Sequence, residues 1–173
     1  MTVESERRRQ IDAVLVERAR RLARPAVEIA VKPTIDLVVF STGNERFAVA
    51  AELVYRLERL ERVAPVPDAA RHFAGITNFH GQFVPLVDLG LLLGSVPCAN
   101  PAFAVVLGER RADIGLLAET LLDMPALPLD TFGSPAPAPR PLVHHITAGG
   151  VAVIDGAALL ADPRLTHHEE SFG

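Results

Sequence analysis

One six-residue pattern, met twice at a fixed spacing, constrains this chain more than its composition does. Phe83-Val84-Pro85-Leu86-Val87-Asp88, closed by Leu92-Leu93, lines up with Gly150-Val151-Ala152-Val153-Ile154-Asp155, closed by Leu159-Leu160, at a constant offset of 67 (88 to 155). A second pair of segments repeats as well. Val38-Val39-Phe40 ahead of Gly43 resembles Val105-Val106-Leu107 ahead of Gly108, and Val49 has its counterpart in Ile114 at an offset of 65 (49 to 114). The runs are short, rich in β-branched residues and punctuated by Gly and Pro, which is the signature of strands. The chain is therefore expected to be mostly β, in two similar halves of about five short strands each, forming paired small β-barrels.

The rest of the chain fits around that frame. From Ser5 to Arg24 the apolar residues Ile11, Val14, Leu15, Ala19 and Leu22 recur at helical spacing, with arginines in the last turn and Pro25 as a stop, which predicts one N-terminal amphipathic α-helix. Ile35–Phe40, the turn dipeptide Gly43-Asn44 and Phe47–Ala51 read as a hairpin. Between Phe132 and Pro141 the alternating prolines 135, 137, 139 and 141 predict a loop that cannot sit inside a sheet. Asp88 and Asp155 each stand just before a leucine-rich segment, where a carboxylate suits the N-cap of a helical turn.

Bulk properties exclude several classes of function. At 173 residues and 49% hydrophobic, the chain can bury a core of its own. Its single cysteine, Cys98, cannot form an internal disulfide, and no signal peptide or long apolar run stands out, so a cytoplasmic protein without membrane insertion is expected. Residues 1–32 carry eight basic and five acidic groups, leaving nine basic and sixteen acidic groups for the remainder, so the body repels nucleic acid on average.

The stretch from Gly75 to Gly94, GITNFHGQFVPLVDLGLLLG, sets Asn78, His80 and Asp88 in an otherwise apolar run. The eight residues from His80 to Asp88 span a turn at Gly81 and do not by themselves assemble a site. No third ligand at metal-binding spacing accompanies them, His144-His145 point to opposite faces of a strand, and His167-His168 lie in an acidic tail. No nucleophile elbow, phosphate loop or dinucleotide fingerprint is present. Neither catalysis nor a cofactor nor a metal is expected. Gly75 and Gly81 are expected to serve turn geometry around the short strand they enclose.

GITNFHGQFVPLVDL resembles the signature of the CheW-like family of chemotaxis adaptors, Gly-(Val/Ile)-x-Asn-Leu-Arg-Gly followed by an apolar pair and Pro-(Val/Ile)-(Val/Ile)-Asp-Leu. Leu37–Val54 is similar to that family's first hairpin and following strand, Ile114–Glu119 to its Val-Gly-(Ile/Leu)-x-Val-Asp, and Val153–Leu160 to its last strand and terminal Leu-Leu. The resemblance covers roughly residues 35–162. It implies two SH3-like five-stranded β-barrels, intertwined over 35–162, after an N-terminal helix and linker (1–34) and before a tail (163–173).

It also implies a non-enzymatic scaffold or adaptor that couples the cytoplasmic tip of a chemoreceptor to the regulatory domain of a CheA-type histidine kinase. The family's Val-x-Glu-Ile maps to Val54-Tyr55-Arg56-Leu57 and its Asn-Leu-Arg-Gly to Asn78-Phe79-His80-Gly81, so Val54, Arg56, Leu57, Asn78, His80 and Gly81 are the implied partner-binding residues. Two of these depart from the family pattern: the usual Glu is Arg56 and the usual Arg is His80. That departure makes an adaptor of a divergent or non-chemotaxis receptor–kinase pathway the alternative, together with an Arg-rich helical module binding an anionic partner.

Overall fold

Among the described residues, strand pairing gives two five-stranded sheets and one short extra pair. The computed structural model describes residues 34–122, 126–128 and 140–166. The expected N-terminal helix over Ser5–Arg24, most of the proline-rich stretch and the tail histidines lie outside the described residues. In chain order the strands are β1 (Thr34–Ile35), β2 (Leu37–Thr42), β3 (Glu45–Ala50), β4 (Val54–Arg59), β5 (Phe73–Phe79), β6 (Gln82–Val87), β7 (Phe103–Leu107), β8 (Ile114–Ala118), β9 (Thr120–Leu122), β10 (Leu127–Pro128), β11 (Val143–Ile146) and β12 (Val151–Ile154). Three helical turns follow strands or close the body: α1 (Leu89–Leu92), α2 (Gly156–Leu160) and α3 (Pro163–Thr166).

The first sheet runs β11-β12-β3-β2-β9 and the second β5-β6-β8-β7-β4. Position by position the two orders match, down to a single parallel pair in each, β12 with β3 and β6 with β8. The sequence halves and the sheets are nevertheless different partitions of the chain. The β2–β3 hairpin of the first half sits in the first sheet, whereas β4, β5 and β6 belong to the second; β7 and β8 complete that second sheet, and β9, β11 and β12 return to the first. Each half lends its hairpin to the sheet built from the other half's remaining strands. The chain crosses from the first sheet to the second through the 3-10 turn Ala51–Leu53, between β3 and β4, and returns at Glu119, between β8 and β9.

The apolar pattern explains why the exchange is stable. Strands β8 and β12 are buried along their whole length, the mark of strands covered on both faces. Alternate residues accordingly enter different clusters. Phe40, Phe47, Val49 and Ile154 of the first sheet share one core with Val87, Val105, Leu107 and Leu116 of the second. The opposite faces feed two separate clusters, Val39, Ala48, Val151 and Val153 in the first sheet and Val84, Leu86, Val106 and Leu117 in the second. The sequence repeat obeys the same register: Val84 and Val151 lie in the outer clusters, Val87 and Ile154 in the shared one, as do Leu92 and Leu159.

The two repeated aspartates are helix caps, as their position predicts. Asp88 Oδ1 accepts from Leu91 N (3.1 Å) and Asp155 Oδ1 from Ala158 N (2.9 Å). Asp88 does more, since its Oδ2 also accepts from Cys98 N at 2.8 Å and its side chain is buried. The residues placed in the tail begin with α3, whose Leu165 enters the shared core.

Gly75 differs from its expected role. It lies inside β5 at a register shift rather than in a turn, with φ +144°, and an added Cβ would stand 2.4 Å from Ala64 O. The reason is closure of the second sheet: the chain beyond β4 returns to pair Ala64 with Ile76 of β5 through two hydrogen bonds of 2.8 Å, drawing the two edge strands together at that end. Only a residue without a side chain admits the crossing backbone.

Candidate partner-binding surface

The turn between β5 and β6 is built by two members of the expected site. Phe79 pairs with Gln82, so the loop is only His80-Gly81, with φ of +51° and +88°. Positive φ at both central residues is the type I′ geometry whose twist matches the flanking strands. Gly81 takes that conformation without strain, and histidine is among the residues that adopt it more readily than most. Asn78 Oδ1 accepts from Gly81 N at 2.7 Å and holds the turn closed. Asn78 and Gly81 are therefore turn machinery. Their product is His80, presented at the tip with its side chain 76% exposed.

The other members lie on β4, an edge strand of the second sheet. A register shift between Val54 and Arg56 interrupts the alternation of faces at Tyr55. Val54 stays packed against the shared core, while Tyr55, Arg56 and Leu57 are all exposed in succession, Tyr55 at 45% and Leu57 at 43%.

The structure brings Arg56 and His80 together through a residue absent from the sequence reading. Glu58 Oε1 receives Arg56 Nη1 at 2.9 Å and lies 3.7 Å from His80 Nε2. Arg56 and Glu58, two apart on one strand, share a face, and that proximity is legible in the sequence. His80 joins them only through the fold. From this cluster a groove extends between β4 and β5, with Glu58, Arg59 and Arg62 on one bank and Thr77 and His80 on the other; it narrows where Thr77 Oγ1 donates to Arg62 O (2.8 Å) and ends at the Ala64–Ile76 bridge. Phe83, 69% exposed, stands beside it; the sequence places it only in the repeated strand pattern and not among the site residues.

Asp88 does not belong with Asn78 and His80. Its carboxylate is buried and occupied by Leu91 N and Cys98 N. Cys98 lies half-covered nearby, and burial pushes its thiol above the ordinary range, which leaves it a poor nucleophile. Among the described residues no group of three or more His, Cys, Asp or Glu is placed to hold a metal ion, and no helix is long and apolar enough to cross a membrane.

Two like five-stranded sheets that exchange hairpins define a β-rich two-sheet module, with an edge strand and a hairpin tip exposed beside the groove. The chain belongs to the CheW-like domain family, whose model matches residues 36–164. It is 25% identical over 122 residues to the probable chemotaxis protein CheW of Rhizobium etli, covering 69% of this chain and 78% of that one. It is 26% identical over 124 residues to the chemotaxis protein CheW of Rhizobium meliloti, covering 70% and 79%. Among solved structures, the scaffolding protein TtCheW from Thermoanaerobacter tengcongensis superposes with a TM-score of 0.62 at 17% identity, over 70% of this chain and 89% of that one, a likeness of fold.

Proposed function

We propose that this chain is a non-enzymatic scaffold of chemotaxis signal transduction that couples the cytoplasmic tip of a chemoreceptor to the regulatory domain of a CheA-type histidine kinase. The observation that carries the proposal is the family match across both sheets, residues 36–164, joined to an exposed surface on β4 and the β5–β6 turn. Val54, Arg56, Leu57, Asn78, His80 and Gly81 then divide by role. Arg56, Leu57 and His80 touch the partner, Val54 anchors β4, and Asn78 with Gly81 sets the position of His80. A cytoplasmic location follows from such partners.

Arg56 favours one refinement. Arg56 where the family carries Glu, and His80 where it carries Arg, both beside Glu58, offer a partner a charge pattern unlike the family's, and like charges facing each other across an interface disfavour the wrong partner. The chain is thus read as serving its own receptor–kinase set. Calorimetric titration against a CheA-type regulatory domain and a receptor-tip fragment from its own genome, and against a typical pair, tests this. Binding to both members of its own set with weak binding to the typical pair is expected; no binding to either class of partner would refute the scaffold reading.

A further inference from the structure

β4 is an open edge with a sequence that complements itself. Its inner side pairs with β7 in the register Arg56–Val106, Leu57–Val105, Glu58–Ala104 and Arg59–Phe103. Just beyond the strand, Leu60 N donates to Ala102 O at 3.0 Å. Backbone groups alternate in direction along a strand, so Glu58 and Arg56 also turn theirs to β7, and Leu57 and Arg59 turn theirs outward. Among the described residues nothing pairs with that outward side until the chain reaches the Ala64–Ile76 bridge; along Glu58 and Arg59 the space is the groove described above.

An exposed edge strand is a template for another strand, and proteins usually block it with charges that do not match. Here they match. If the strand from Val54 to Arg59 meets a second copy of itself antiparallel about Leu57, Leu57 faces its equivalent and Arg56 faces Glu58 of the other copy, twice by symmetry. The outward backbone of Leu57 and Arg59 is in phase with that register, since Leu57 would form a hydrogen-bonded pair with its counterpart. Opposite charges directly across an antiparallel pair stabilise it and like charges destabilise it. The exposed Leu57 at the centre supplies the apolar contact.

We infer that two copies of this chain associate through β4, centred on Leu57 and registered by reciprocal Arg56–Glu58 pairs, to join their second sheets into one. The contact is isologous and closes at a dimer. It covers Arg56 and Leu57, so the dimer and the proposed partner complexes exclude each other, yet self-association is measured without any partner and stands or falls independently of that reading.

Sedimentation of the full chain over a concentration series, with charge reversals, tests the register. Wild type is expected to show a reversible monomer–dimer equilibrium. Arg56→Glu and Glu58→Arg, each placing two like-charged pairs across the two-fold, are expected to weaken it about tenfold. The double variant Arg56→Glu with Glu58→Arg restores both pairs and is expected to recover the wild-type constant. In a Cys98→Ser background, Leu57→Cys should cross-link to itself under mild oxidation, and Leu122→Cys on the edge strand β9 should not. A wild type that stays monomeric throughout would overturn the inference. So would single reversals without effect, a double variant no better than the singles, or a dimer that Leu57→Cys fails to trap.

Discussion

Arg56 and His80, on β4 and at the β5–β6 turn, converge on the same oxygen of Glu58, at 2.9 Å and 3.7 Å. The two positions where the chain departs from its family's charges are thus one electrostatic unit, and Glu58 is its common acid. Because all three groups are solvent-accessible to some degree, the unit contributes little to folding stability, on the order of 0–1 kcal/mol per pair. Its significance is at an interface.

Replacing Arg56 by Glu and His80 by Arg reinstates the family's charges beside an unchanged Glu58. The double variant is expected to bind a typical CheA-type regulatory domain more tightly and its own more weakly. Coupling between the two sites should be about 1 kcal/mol beyond the sum of the single effects, because both act through one carboxylate. Titration of wild type, both singles and the double against each partner measures it; affinities that do not change would move specificity to another surface.

The two caps are expected to differ in strength despite their equivalent places in the repeat. Asp155→Ala removes one cap hydrogen bond and should cost about 1 kcal/mol. Asp88→Ala also strips Cys98 N of its acceptor in a buried site and should cost about 2–3 kcal/mol. Urea denaturation of both variants compares them directly, and equal losses would show that the Cys98 contact adds nothing.

Acid stability should report Asp162. Hydrogen bonds from the Arg164 guanidinium, the shortest 2.6 Å, hold its carboxyl below the usual range against the opposing effect of burial, while Arg164 Nη1 donates to Leu92 O at 3.1 Å and ties α3 to the end of α1. A carboxyl whose pKa is lower in the folded state contributes stability that is complete above its unfolded value, about 3.9, and is lost as pH falls through the folded value. Asp162→Asn should therefore lower the melting temperature near neutral pH, with the gap from wild type closing below about pH 4. Thermal melts across that range decide it; a gap that widens on acidification would contradict the assignment.

Neither half of the repeat should fold alone. A fragment of residues 35–95 holds β2 and β3 of one sheet with β4, β5 and β6 of the other, and it lacks β7 and β8, which join β4 to β6. It is expected to show no cooperative thermal transition by circular dichroism, whereas a transition near that of the full chain would mean that the shared core is dispensable.

Much of this molecule is determined by its sequence read locally. The 67-residue offset carries the cluster membership of Val84 and Val151, Val87 and Ile154, and Leu92 and Leu159, because side-chain direction in a strand alternates with period two and a repeated pattern must repeat its packing. The caps at Asp88 and Asp155 and the turn at Gly43-Asn44 are likewise local chemistry, decided by residues within a few positions of one another. Tertiary structure alone decided which sheet each strand joined. The repeat is compatible with two self-contained halves or with exchanged hairpins, and the choice rests on long-range pairing such as β12 with β3 and β6 with β8. It also decided why Gly75 must be glycine, since the backbone of Ala64, eleven residues earlier, is laid against that position only by the closure of the second sheet. The charge unit divides in the same way: Arg56 and Glu58 are neighbours by strand spacing, but His80 reaches them only because the edges β4 and β5 are drawn toward each other by the closure at Ala64 and Ile76.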